Sequence, residues 1–197
     1  MPQTITTFDS LPAEVLALYR QVHADMPEGG PPTVLHLGSQ YTVLAAGADS
    51  QTPSLVLTLA LGDERTARDF LRGAVPTPLE LETAIAVVED EVHAAHRHYR
   101  EAAPDSARQG APPAPWSADA GLHEIATLAG IAAGPVRVLP LDAVERVFNR
   151  LAAVAQGRPA AHEGLPEDPA FAARLLVLRE LMHHMPFAAV TLLSPPP

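Results

Sequence analysis

Apolar and polar residues follow two rhythms along this chain, and the places where one gives way to the other mark its elements. Across residues 33–61, short apolar runs alternate with turn residues: 33–37, the Gly38-Ser39-Gln40 turn, 41–46, the polar GADSQTP segment, and 54–61. Runs of that length, rich in Val and Leu and bounded by Gly, Ser, Asp and Pro, predict three consecutive strands. Elsewhere the apolar positions recur in steps of three and four, the spacing of a helix face.

Val15, Leu16, Tyr19, Val22 and Met26 predict a first helix, capped by Ser10 and stopped by the PEGGPP run at 27–32. Gly62 and Asp63 open a short helix that carries Ala67, Phe70 and Leu71 and closes at Gly73. Thr77, Pro78 and Glu80 then form a capping box ahead of the stripe Leu81, Ile85, Val88, Val92, Ala95 and Tyr99, a packing face expected to lie across the sheet. The Pro-, Gly- and Ala-rich segment 102–121 predicts a mobile surface loop, with Trp116 either pinning it to the body or facing a partner. HEIATLAGIAAG and PVRVLP follow, and one or both supply a further strand. Asp142 and Glu145 read as a second capping box, for a helix with Val144, Val147, Phe148 and Leu151 inward and Gly157 as its stop. Asp168-Pro169 starts the last helix, with Phe171, Leu175, Leu178, Met182 and Met185 on one face, before Pro186 and a final strand at 188–193.

Three early strands joined by short turns, then strands separated by helices, predict an α/β fold: a mixed five-stranded sheet with helices on its faces, the ribonuclease H-like arrangement of one actin-like half. Residues 1–31 are expected to be a helix and linker, and 32–193 a single domain. The 197 residues, 47% of them apolar, suffice for one good core. A formal charge of −10 repels phosphate backbones and anionic membranes, so neither nucleic acid nor a membrane is an expected partner. The absence of cysteine excludes disulfides, thiolate nucleophiles and Cys-ligated zinc. MPQTITTFDS lacks the basic and apolar regions of a signal peptide, and the expected location is cytoplasmic. Twenty-one prolines with abundant Ala and Arg suggest a GC-rich bacterial genome.

The order of these pieces carries a resemblance. HLGSQYTVLAAG resembles the phosphate-loop hairpin of the actin-like ATPase superfamily, whose usual form is Asp-x-Gly-Ser/Gly-x-Ser/Thr. SLVLTLALGDERTARDFLRGAVPTPLELETA is similar to the segment after that hairpin in the exopolyphosphatase and guanosine pentaphosphate phosphatase family. The tail, from LPLDAVERVFNRLAAVAQG to AAVTLL, is similar to that family's later helices and strand. The resemblance implies one lobe of a two-lobed fold, with the catalytic acid on the other lobe. It also implies a metal-organising Asp where this chain has His36, and a Gly-Gly-Thr turn that EIATLAGIAAG does not show. An imidazole does not replace a carboxylate as a magnesium ligand, so phosphatase activity is not carried over.

Three functional readings follow. The first is a non-catalytic lobe that binds a partner protein or forms a homodimer through the face a missing lobe would leave open. The second keeps phosphate or nucleotide binding, or residual phosphatase activity, at His36, Gly38, Ser39, Gln40 and Thr42, with Arg65 as counter-charge; against it, Gly-Ser-Gln also simply turns a hairpin. The third is a metal-dependent enzyme: Glu89, His93 and His96 share a helix face, and His98, His183 and His184 are candidates to join them. No cofactor is specified, and no Gly-x-Ser-x-Gly elbow marks a serine nucleophile. In the acidic triplet Glu89, Asp90 and Glu91, one or two members are expected on a solvated face.

Overall fold

The computed structural model describes residues 11–25, 31–102 and 114–194. Its elements are α1 (Ala13–Asp25), β1 (Thr33–Leu37), β2 (Thr42–Ala46), β3 (Leu55–Leu59), α2 (Asp63–Phe70), α3 (Pro78–Ala102), β4 (Trp116–Ser117), α4 (Ala120–Leu128), β5 (Val136–Pro140), α5 (Leu141–Ala155), α6 (Ala160–Glu163), α7 (Pro169–His184) and β6 (Ala189–Leu193). They build one mixed sheet in the order β3-β2-β1-β4-β6-β5. The β1–β2–β3 meander is antiparallel, β1, β4 and β6 run parallel, and β5 pairs antiparallel with β6 at the edge. This is the ribonuclease H-like fold expected from the element order, with six strands in place of five.

The additional strand is β4, inside the stretch expected to be a loop. Two residues cannot display a period of two, so Trp116 and Ser117 carry no strand signal of their own; they are held by Val34 on one side and by Thr191 and Leu192 on the other. Trp116 packs against the smaller cluster that α1 forms with the sheet. Residues 103–113 of the expected loop lie outside the described residues, while its two ends, Ala102 and Ala120-Gly121, belong to the helices α3 and α4. HEIATL is helical in α4, with Leu122, Ile125 and Ala126 buried at helix spacing, and PVRVLP supplies the strand.

Strand alternation divides the core. Leu35, Leu44, Leu57, Val190 and Leu192 face the larger cluster, built with α2, α3, α4, α5 and α7. Val34, Val43, Ala45 and Val56 face α1. The inward face of α1 is Val15, Leu18, Tyr19 and Val22; Leu18 occupies the inward position expected of Leu16, while Ser10 and Met26 lie outside the described residues. The Tyr19 hydroxyl lies 2.6 Å from the Asp49 carbonyl oxygen and 3.0 Å from that of Gly47, and burial pushes its pKa up to about 12.

Helix ends follow local chemistry where neighbours leave it free. The Thr77–Glu80 box forms, with Thr77 N donating to Glu80 Oε2 at 2.8 Å and Glu80 N to Thr77 Oγ1 at 3.3 Å. Asp168 accepts from Ala170 N, and Gly157 stops α5 with φ at 100°. The second expected box does not form: Pro140 stands at the N-cap, Asp142 pairs with Arg146, and Glu145 turns to Arg179 and His183. Nor does Gly73 close α2, which ends at Phe70 with Leu71 as cap. The helix α7 buries more than its expected stripe, because it packs against α2, α3 and α5 together; Ala172, Leu176, Val177 and Leu181 are also enclosed.

Candidate functional site at the ends of β1 and β4

Parallel β1 and β4 end side by side, and the open end of such a pair is where α/β sheets place ligands. Three segments meet there: His36-Leu37-Gly38 leaving β1, Asp119 ahead of α4, and Gly62-Asp63 ahead of α2. The Asp119 carboxylate does not cap its own helix. One oxygen lies 2.7 Å from His36 Nδ1, and the other accepts from Leu37 N at 2.7 Å, so Asp119 ties β1 to the start of α4 across more than eighty residues of sequence. Asp119 N in turn donates to Ser117 Oγ at 3.2 Å.

The Gly38–Tyr41 turn closes on itself and on α2. Gly38 N donates to Tyr41 O at 3.0 Å, while the carbonyl oxygens of Gly38 and Ser39 accept from Asp63 N and Arg65 N at 3.1 and 3.0 Å. The turn therefore presents carbonyl oxygens, not amides, to the N-terminus of α2. Gly62 makes this approach possible: a Cβ there would lie 2.3 Å from Ser39 O. Asp63, buried at the first turn of α2, takes the Arg174 guanidinium of α7 through Nε at 2.9 Å and Nη2 at 2.5 Å. Arg174 lies against Gly121 on α4 and reaches Glu124 at 3.0 Å. Three carboxylates, Asp63, Asp119 and Glu124, thus face two basic groups, His36 and Arg174.

The residues expected from sequence to bind ligand are all at this end, and their polar groups serve one another. Thr42 Oγ1 donates to Leu61 O, and Gln40 Nε2 lies 3.4 Å from Glu64 Oε2. The Arg65 guanidinium lies 5.8 Å from the Tyr41 ring centre and 3.8 Å from Asp69. Asp63, Asp119 and Arg174 were not identified by sequence pattern; Asp63 and Arg174 are 111 residues apart, and no local periodicity links them. A magnesium site organised at position 36, as the resemblance implies, does not fit this donor set. Asp119 is held by His36 and Leu37 N, and Asp63 by Arg174 and Glu64 N.

The histidines expected to gather do so only in part. Glu89 and His93 of α3 meet His184 at the end of α7. His98 Nδ1 instead lies 2.8 Å from its own helix's Ala94 O, and His183 pairs with Glu145. Burial, with Arg100, His93 and His184 nearby, pushes the His96 pKa down. In the acidic triplet, Glu91 accepts from Ala60 N at 2.9 Å.

The hydrogen bond to Asp119 holds the His36 pKa above the ordinary imidazole value, against the opposing effect of burial. A raised folded-state pKa contributes stability that is fully present below the unfolded value of about 6.5 and is lost as pH rises through the folded value. Urea denaturation of wild type should therefore show a fall in stability across that window which Asp119→Asn lacks. Parallel pH curves for the two proteins would rule out the pair as the source.

With this geometry established, the class of fold is an actin-like, ribonuclease H-like half. Solved structures of the Ppx/GppA type share it. The Ppx/GppA protein of Aquifex aeolicus superposes with a TM-score of 0.67 at 13% identity, over 92% of this chain and 57% of that one. An exopolyphosphatase from Cytophaga hutchinsonii gives 0.65 at 13% identity, over 92% and 59%. An exopolyphosphatase-like protein gives 0.66 at 14%, over 93% and 63%. This chain thus spans about six-tenths of the length of these structures. No protein-family model matches the chain, and no curated protein sequence matches it. No helix among the described residues is long and apolar enough to cross a membrane.

Proposed function

We propose that this chain is a non-catalytic actin-like half, related to exopolyphosphatase-type proteins, that acts as a binding module and pairs with a second copy of itself. The observation that carries this reading is the closed state of the β1–β4 end. Its carboxylates are committed to His36, Arg174 and backbone amides, and its turn carbonyls to α2. An excess of acidic over basic groups there disfavours a phosphate, and a turn that presents carbonyl oxygens offers an anion few donors. Self-pairing is supported at β5, the terminal strand of the sheet, whose outer backbone has no ladder partner among the described residues. Its Val136 and Val138 are 50% and 53% exposed on the face opposite Arg137 and Leu139. An edge strand of this kind is self-complementary about a two-fold axis.

Light scattering at micromolar concentration tests the reading, with calorimetry against inorganic phosphate, polyphosphate and purine nucleotides on the same sample. The expected result is a dimer mass that falls to monomer in Val138→Lys, with no heat from any of the phosphates. A strictly monomeric wild type would overturn the pairing. Heat or hydrolysis abolished by His36→Ala would restore the phosphate-binding alternative at residues 36–42.

A further inference from the structure

The His-bearing surface where α3 meets α7 is separate from the β1–β4 end. Glu89 and His93 stand one turn apart on α3 and so project from one face. His184 is the last residue of α7, which packs on α3. Tertiary packing brings the His93 and His184 rings edge to face, with centres 4.2 Å apart, and places His184 Nε2 3.7 Å from Glu89 Oε1. One ligand atom from each of the three lies within 4.8 Å of the others.

We propose that Glu89, His93 and His184 form a binding site for one divalent transition-metal ion, with zinc the best fit, which fastens the end of α7 to α3. Two imidazoles and a carboxylate match three-ligand zinc sites that keep a fourth position for water, and this nitrogen-rich set disfavours magnesium and calcium. Tetrahedral coordination with bonds of about 2.1 Å needs ligand atoms about 3.4 Å apart, so the three groups must draw in by roughly 1 Å. Side-chain rotation supplies that, since His93 is exposed and Glu89 and His184 are only half-buried. A further carboxylate stands beside the site. Glu180 is buried, pairs with Arg179 through one oxygen, and stands 3.3 Å from His184 Nε2 through the other. It faces the same ring nitrogen as Glu89, so it adds negative charge beside the site and does not brace the ring from its other nitrogen. His96, His98 and His183 lie outside the set.

The test is calorimetric titration of the full, tag-free chain with zinc sulfate, followed by a thermal melt with and without one equivalent. The expected result is one site of micromolar affinity and a higher melting temperature with zinc. His93→Ala, at an exposed position that leaves the fold intact, should weaken binding roughly 30-fold or more and remove the zinc-dependent shift. His162→Ala, an exposed histidine on α6, should bind as wild type. Absence of binding by wild type would overturn the proposal, as would zinc affinity unchanged in His93→Ala.

Discussion

Arg174→Ala is expected to destabilise the protein by about 3 kcal/mol, because it strands the Asp63 carboxylate in a buried position. Side-chain exposure is only 16% for Arg174 and 11% for Asp63, so water does little to screen the pair or replace the lost partner. The donor at Glu64 N and the start of α2 still favour a negative Asp63, which keeps the cost at the lower end of the range for a broken buried pair. Urea denaturation gives the number, and a double-mutant cycle with Asp63→Asn separates the pair from lost packing. The double variant should recover part of the loss, since the uncompensated charge is then gone. A cost below about 1 kcal/mol for Arg174→Ala would place the pair with weakly coupled surface bridges.

Gly62→Ala should cost about 3 kcal/mol and open the site. A Cβ there meets Ser39 O, Ser39 C and Gln40 N at 2.3 to 2.4 Å, all backbone atoms that no rotamer change can move. The strain is one of packing, because Gly62 has an ordinary extended conformation with φ at −127°. Relief requires the 38–41 turn to lift from α2, breaking the bonds from Asp63 N and Arg65 N. Because His36 leaves β1 into this turn, an NMR titration of its imidazole should show a lower pKa in Gly62→Ala than in wild type. An unchanged denaturation midpoint would mean the turn moves freely, and the closed reading of the β1–β4 end would then fail.

Both effects bear on function through the same fact: the open end of the parallel strands, where α/β sheets place ligands, is here cross-linked by its own side chains. The Asp119 carboxylate illustrates the trade. Standing at the start of α4, it could cap that helix; it holds His36 and Leu37 N instead. A residue with an obvious local use has been recruited to a tertiary one.

Signals that act within a few residues were legible in the chain by itself. The β1–β2–β3 meander is set by apolar runs and turn residues, and the starts of α3 and α7 by Thr77, Glu80, Asp168 and Pro169. Their order was enough to reach the ribonuclease H-like arrangement and the likeness to exopolyphosphatase structures. At the end of β1, the sequence determined the positions of His36 and the Gly38 turn but not the direction of their hydrogen bonds. Only the tertiary structure decided that β4 is a strand, since two residues form one only when β1 and β6 supply ladders on both sides. It also decided that Glu145 leaves the expected capping box for Arg179 and His183. The pairs Asp119–His36 and Asp63–Arg174, and the meeting of Glu89 and His93 with His184, belong to the same class. Each joins residues from separate elements. Periodicity and capping preferences report energies over one or two turns of chain, whereas these contacts depend on how completed elements stack, which no local pattern records.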